Sequence, residues 1–166
     1  MQIRDAVEAD FGGILALNEA EVVRTSPMDR ARLSELDRLA AVHWVAEVEG
    51  QVVAFLLAMR EGAAYDSENY RWFAARYPRF LYVDRIVVDA AHAGQGIGAR
   101  LYRRLFDHAC ANGIAQIACE YNLEPPNPAS QAFHARFGFV GVGQQQVAGG
   151  HKTVSLQLAA VPVQAD

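Results

Sequence analysis

The sequence predicts a mixed α/β domain in which a largely antiparallel sheet of six to seven strands carries helices on both faces. Three observations point there. Short β-prone runs and helical stripes follow one another in the order strand, two helices, strands, helix, strand, helix, strands. One run, Phe80 to Val88, ends in the contiguous apolar residues Ile86, Val87 and Val88, the pattern of a strand covered on both faces. Directly after it comes a glycine-rich stretch, Ala93-Gly-Gln-Gly-Ile-Gly98, that leads into an amphipathic helical stripe.

Taken in order, residues 2 to 5 read as a short strand. Glu8 to Asn18 reads as a helix, because Phe11, Ile14, Leu15 and Leu17 recur at near-helical spacing. Pro27 is placed to open a second helix, whose stripe is Leu33, Leu36, Leu39 and Ala40. His43 to Glu49 and Gln51 to Met59 are β-prone and joined at Glu49-Gly50, a tight-turn signal for an antiparallel hairpin. In residues 60–79, Tyr70, Phe73 and Tyr77 are spaced for one helical face, and Pro78 stops that helix at about Tyr77. After the glycines, Ile97, Leu101, Leu105 and Ala109 keep one helical stripe until Asn112-Gly113 ends it. Ile114 to Tyr121 is the next strand, followed by the rigid linker Pro125 to Pro128 and a short helix from Ala129 to Phe137 closed by Gly138. Phe139 to Val147 and Lys152 to Leu158 form a terminal hairpin around Gly149-Gly150.

The 166 residues fit one compact domain spanning 1–166, and 52% hydrophobic with 20% charged residues excludes extensive disorder. Fifteen basic against nineteen acidic side chains give a net charge of -4, so no basic field recommends nucleic acid or an anionic membrane as partner. No apolar run approaches the ~20 residues of a membrane span, and Met1 to Asp10 lacks a signal-peptide core; a cytoplasmic location is expected. Cys110 and Cys119 have no metal-ligand spacing and are expected as reduced thiols, with no metal.

A strand, a glycine-rich turn and a helix start together make an anion site. The first amides of a helix lack intrahelical partners, sit at the positive end of the helix dipole, and can approach a phosphate closely where glycines remove the Cβ. A P-loop would follow its last glycine with Lys and Ser or Thr, but Gly98 is followed by Ala99-Arg100. The G-x-x-G spacing of a dinucleotide fingerprint is missing too. The alternative is a loop that only needs positive φ.

The stretch resembles motif A of the GNAT superfamily of acetyltransferases, a strand followed by R/Q-x-x-G-x-G/A and a helix, with Ala93 where that family has Arg or Gln. Asn127-Pro-Ala-Ser-Gln-Ala-Phe-His-Ala-Arg-Phe-Gly-Phe139 resembles the partner motif, an Asn ahead of a helix carrying F-Y-x-x-x-G-F, with His134 in the Tyr slot. The resemblance implies acetyl-CoA (coenzyme A) as acyl donor. It implies that backbone amides of Gln95, Gly96, Ile97, Gly98 and Ala99, aided by Arg100 or Arg103, hold the pyrophosphate. It further implies that a backbone N–H among Ile86, Val87 and Val88, at a strand bulge, polarises the thioester carbonyl. By the same resemblance Asn127 bonds the pantetheine or phosphate region, Phe133 packs on it, Arg136 reaches the adenosine phosphate, and His134 protonates the departing thiolate. For the phenylalanines the alternative is plain core, and Phe137 is assigned to it.

An ammonium is not a nucleophile, so transfer to an amine requires a base. Glu120 is the first candidate: strand alternation turns it away from Ile117, and a subset of GNAT enzymes has a base at the matching strand position. Asp84 competes, its alternative being an ion pair with Arg85 or another arginine. Neither Cys110 nor Cys119 has an obvious His partner in its local sequence, so direct transfer in a ternary complex is expected and no acyl-enzyme is needed. Tyr65 and Tyr70 in an aromatic insert over 61–79, and Tyr82 on the strand after it, are the candidates for binding the acceptor, a small-molecule or peptide amine. The alternative for that insert is packing on the sheet or on a second copy in a homodimer. A non-catalytic acyl-CoA sensor and a nucleotide-binding regulator are the competing functions.

Overall fold

The computed structural model describes residues 1–162, and they contain one sheet of seven strands ordered β1-β2-β3-β4-β5-β7-β6. The strands are β1 Gln2–Asp5, β2 Val42–Val48, β3 Gln51–Arg60, β4 Leu81–Val88, β5 Gln116–Glu124, β6 Val140–Val147 and β7 Lys152–Ala160. The helices are α1 Phe11–Ala20, α2 Arg30–Leu39, α3 Glu68–Ala74, α4 Ile97–Ala111 and α5 Pro128–Arg136. Every β ladder with a resolved register is antiparallel except β4 with β5, so the expected fold class is the observed one, with seven strands. No helix among the described residues is long and apolar enough to cross a membrane. The chain divides into two compact units.

The first unit comprises Met1–Met59 and Val83–Leu105. Residues 42–46 of β2 and 53–59 of β3 are buried without alternation, as strands covered on both faces are. The hairpin between them turns on Glu49 (φ 50°) and Gly50 (φ 79°), the two consecutive positive φ angles that match a tight turn to the twist of its strands. Phe11 and Ile14 of α1 and Leu33 and Leu36 of α2 are buried. The second helix begins three residues later than Pro27 suggests. Asp29 caps it, its Oδ1 accepting from the Arg32 N–H at 2.7 Å, and that satisfied amide decides the start.

The second unit comprises Arg60–Tyr82 and the residues from Phe106 on. Ser67 caps α3, and Tyr70 and Phe73 bury the predicted face. The helix ends at Ala74, short of Tyr77, although the Tyr77 N–H still reaches the Phe73 carbonyl at 2.9 Å. β5 runs on to Glu124 through a register shift at Asn122/Glu124, three residues beyond the predicted end. The β6–β7 hairpin forms as expected; what its sequence did not disclose is that β7, and not β6, pairs with β5. The parallel ladder of β4 and β5 consists of Leu81 opposite Ile117 and Tyr82 opposite Ala118.

Helix α4 buries its stripe as predicted, with Ile97, Leu101, Leu105 and Ala109 at most 3% exposed. Gly113 at φ 65° ends it.

Candidate active site

In the first unit the chain leaves β4 at Val88. The Asp89 N–H donates to the Val53 carbonyl at 2.8 Å, and the Asp89 carboxylate lies 2.8 Å from His92 Nδ1. That hydrogen bond holds the Asp89 carboxyl below its ordinary range. One 3-10 turn, Ala90–His92, then delivers the chain to the loop. Gly94 and Gly96 adopt φ of 77° and 76°, a left-handed conformation that L residues resist. A Cβ at either position would meet no atom within 4 Å, so backbone conformation rather than crowding requires these glycines.

Residues 93–96 are exposed, and the helix begins at Ile97. Its first turn closes with the Arg100 N–H on the Gly96 carbonyl at 3.0 Å, so the amides of Ile97, Gly98 and Ala99 precede that bond. The Gln95 amide is directed at the His92 carbonyl at a long 3.4 Å. Arg100 and Arg103 are exposed at the loop's helix. Arg104 is committed elsewhere: it lies over the Trp44 ring at 4.7 Å and donates to the Ile3 carbonyl at 2.6 Å. On β4, Val87 is buried while Ile86 and Val88 are half-buried.

Asp84 is in the ion pair that the sequence offered as its alternative, 3.2 Å from Arg85 Nε, with both side chains 7% exposed. Arg85 Nη1 also donates to Asn18 Oδ1 at 2.9 Å and to the Ser26 carbonyl at 2.7 Å. A buried guanidinium survives only when paired and hydrogen-bonded, and this one is. Sequence reasoning missed Asn18. The available signal was a polar residue four after Ile14 and seven after Phe11, on the buried stripe of α1.

In the second unit Glu120 is half-buried on β5, and the Tyr82 hydroxyl donates to its carboxylate, 2.9 Å from Oε1 and 2.8 Å from Oε2. Tyr65, Tyr70 and Tyr82, expected at an acceptor mouth, are 7%, 2% and 0% exposed. They pack edge to face, Tyr65 on Tyr70 at 5.5 Å and Tyr70 on Tyr82 at 5.7 Å. The insert is thus largely the packing that the sequence offered as its alternative. Burial, and after it the Glu120 charge, pushes the Cys119 thiol well up, away from the thiolate that a nucleophile needs.

Helix α5 is capped by Asn127, whose Oδ1 accepts from the Ser130 N–H at 3.3 Å. His134 is buried at 5% exposure, and its Nδ1 lies 2.7 Å from the Ser130 carbonyl. A carbonyl only accepts, so the proton sits on Nδ1. Burial lowers the imidazole's pKa and the ring is neutral near pH 7, with Nε2 carrying the lone pair. Phe133 is half-buried with Arg136 at 5.9 Å over its ring, and Phe137 stacks on Phe106 at 5.9 Å.

Known proteins resemble this chain along most of its length. The model of the acetyltransferase (GNAT) family matches residues 6–139. The chain is 33% identical over 134 residues to glucosamine 6-phosphate N-acetyltransferase 1 of Oryza sativa subsp. japonica, covering 81% of this chain and 75% of that protein. Ard1 from Thermoplasma volcanium shares its fold with a TM-score of 0.78 at 15% identity, over 97% of each chain. So does yncA from Salmonella typhimurium, solved with its cofactor acetyl-CoA, with a TM-score of 0.72 at 24% identity over 100% of this chain and 96% of that one.

Proposed function

The chain belongs to the acetyltransferase (GNAT) family, and from that premise we propose that it moves an acetyl group from acetyl-CoA to a primary amine on a small molecule, amino acid or peptide, by direct transfer in a ternary complex. The observation that carries the reading is the loop after β4, with its two positive-φ glycines and the amides that open α4. These residues fit a pyrophosphate: the loop is exposed, the glycines leave it open, and a 15-residue helix contributes its positive end. The family match runs from residue 6 to 139, through both compact units, which supports one acetyltransferase domain over the whole chain.

In this reading Gly96, Ile97, Gly98 and Ala99 hold the pyrophosphate through backbone amides, with Arg100 as the nearby cation. Asn127 offers its amide Nδ2 to the pantetheine, since its Oδ1 serves the helix cap. Phe133 packs on the cofactor beside Asn127, Arg136 takes the adenosine phosphate, and a backbone N–H among Ile86, Val87 and Val88 polarises the carbonyl. Acetyl-CoA supplies an activated thioester whose sulfur departs with the bonding pair, a leaving group whose thiol has a pKa of ~8.5 and needs no strong acid. Glu120 takes the proton that the ammonium must lose before its lone pair can attack. Asp84, neutralised by Arg85, is the second choice for that role. His134 holds α5 through Ser130, a role that its committed Nδ1 proton favours over proton donation. The raised Cys119 thiol supports transfer without an acyl-enzyme.

The test is release of free thiol from acetyl-CoA across a panel of amines, amino acids and peptides. Amine-dependent release is expected; release no faster with any acceptor than without one overturns the reading. With an acceptor in hand, Glu120→Gln lowers kcat by about 10²- to 10⁴-fold while acetyl-CoA affinity changes little. Unchanged turnover across pH removes Glu120 from the mechanism.

A further inference from the structure

The aromatic segment ahead of β4 ends on the proposed base. Tyr70 is fixed at both faces of its hydroxyl, donating to the Arg60 carbonyl at 2.7 Å and accepting from the Ala63 N–H at 3.0 Å. Its ring meets Phe80 at 5.7 Å and Tyr82 at 5.7 Å, the latter edge-on at 72°. Phe73 closes on Tyr82 from α3 at 5.9 Å. The Tyr82 ring is therefore fully buried and held by two aromatic neighbours, with its hydroxyl aimed at Glu120. A phenol has one proton to give, and its oxygen is almost equidistant from the two carboxylate oxygens, so the proton is shared between them. Turning the carboxylate about its own axis loses that arrangement.

We infer that Tyr82 is a positioning residue for Glu120, and that the insert from Glu61 to Arg79, with Phe80 after it, is its buttress: packed aromatic rings fix the phenol, and the phenol fixes the carboxylate that takes the amine proton. The inference rests on Glu120 being the base. It gives the insert a purpose that burial of Tyr65, Tyr70 and Tyr82 allows and an acceptor mouth does not require. Tyr82 does not touch the substrate in this scheme. Its donation stabilises the ionised carboxylate and keeps Glu120 competent as a base toward lower pH. Leu156 stands opposite Glu120 on β7, and strand alternation puts Ala118 and Asn122 on its face of β5 with Cys119 and Tyr121 on the other.

The experiment is a double-mutant cycle of Tyr82→Phe and Glu120→Gln on the full chain, with the acceptor found above. Tyr82→Phe is expected to lower kcat about tenfold, the size of one hydrogen bond to a charged group, with KM for acetyl-CoA unchanged. The acid limb of kcat/KM moves to higher pH, because the ionised carboxylate has lost its donor. In the Glu120→Gln background Tyr82→Phe adds no further loss, since the two residues act as one unit. Losses that multiply, or a Tyr82→Phe profile identical to that of the unaltered chain, overturn the inference while leaving Glu120 as base. A Glu120→Gln variant with full turnover removes both. Should Tyr82→Phe fold poorly by thermal unfolding, Glu120→Asp, which draws the carboxylate back from the phenol, is expected to give the same tenfold loss and acid-limb shift. An unchanged acid limb there overturns the inference as well.

Discussion

In the proposed reaction the glycine loop and the Tyr82–Glu120 pair solve opposite problems. The loop is exposed, built from backbone, and indifferent to most side chains; its demand is for φ near +77° at Gly94 and Gly96. The pair is built from side chains brought together across 38 residues, one of them fully buried, and changing either atom set changes the chemistry. A polyanion can be held by amide dipoles that any sequence supplies once the chain is bent correctly. Taking a proton cannot be delegated to the backbone, because only a titratable side chain does it. The difference teaches where each region tolerates change.

Breaking the loop calls for a Cβ at a left-handed position. Gly96→Val imposes roughly 1–2 kcal/mol of backbone strain and places a branched side chain at the proposed pyrophosphate site. Acetyl-CoA affinity is expected to fall about tenfold or more by calorimetric titration, since each 1.4 kcal/mol is a factor of ten. The strain is a cost to the fold as well, but no steric clash adds to it, because no neighbouring atom lies within 4 Å of that Cβ. An unchanged Kd would show that the loop does not bind through its backbone.

On the side-chain-built half, His134 provides the matching stress. Its pKa is lowered in the fold by burial, so an unfolded chain binds a proton that the folded chain resists. Stability is therefore fully present above the ordinary histidine pKa of about 6.5 and is lost as pH falls from there toward the lower folded value. The slope reaches at most one proton per molecule, about 1.4 kcal/mol per pH unit. Chemical denaturation between pH 7 and pH 5 is expected to show this loss, and His134→Phe to reduce it. An identical slope in both chains would mean that His134 charges freely in the fold.

The same contrast explains what could be read from the sequence. The loop, the α4 stripe and the Glu49-Gly50 turn were legible because each is specified by consecutive residues whose demands are local: positive φ, helical period, a tight reversal. Glu120 was legible as a face of β5 by alternation, but nothing in that alternation says which β4 residue stands beside it. The answer lies in a parallel ladder of two pairs, Leu81 with Ile117 and Tyr82 with Ala118, and register is tertiary information. Tyr82 was accordingly expected to face a substrate when its hydroxyl faces Glu120. Asn18 and Arg85, 67 residues apart, were hidden for the same reason. The start of α2 shows the limit of a local rule: Pro27 satisfies a preference, but Asp29 makes the hydrogen bond.

The smallest expected effect sharpens the comparison most. Ala93 stands where relatives by motif have Arg or Gln, and it is exposed with an extended backbone of φ -60° and ψ 144° that any L residue adopts. Ala93→Arg adds a cation beside the proposed pyrophosphate site without disturbing the loop. Exposed ion pairs contribute roughly 0.2–1 kcal/mol, so acetyl-CoA should bind about 1.4-fold to fivefold tighter at low salt. The gain should shrink as ionic strength rises and the added charge is screened, whereas the loss in Gly96→Val should not. A gain that survives high salt would mean the arginine makes a buried, bidentate contact. The loop would then be less open than its glycines suggest, and the division between a backbone-built half and a side-chain-built half would have to be redrawn.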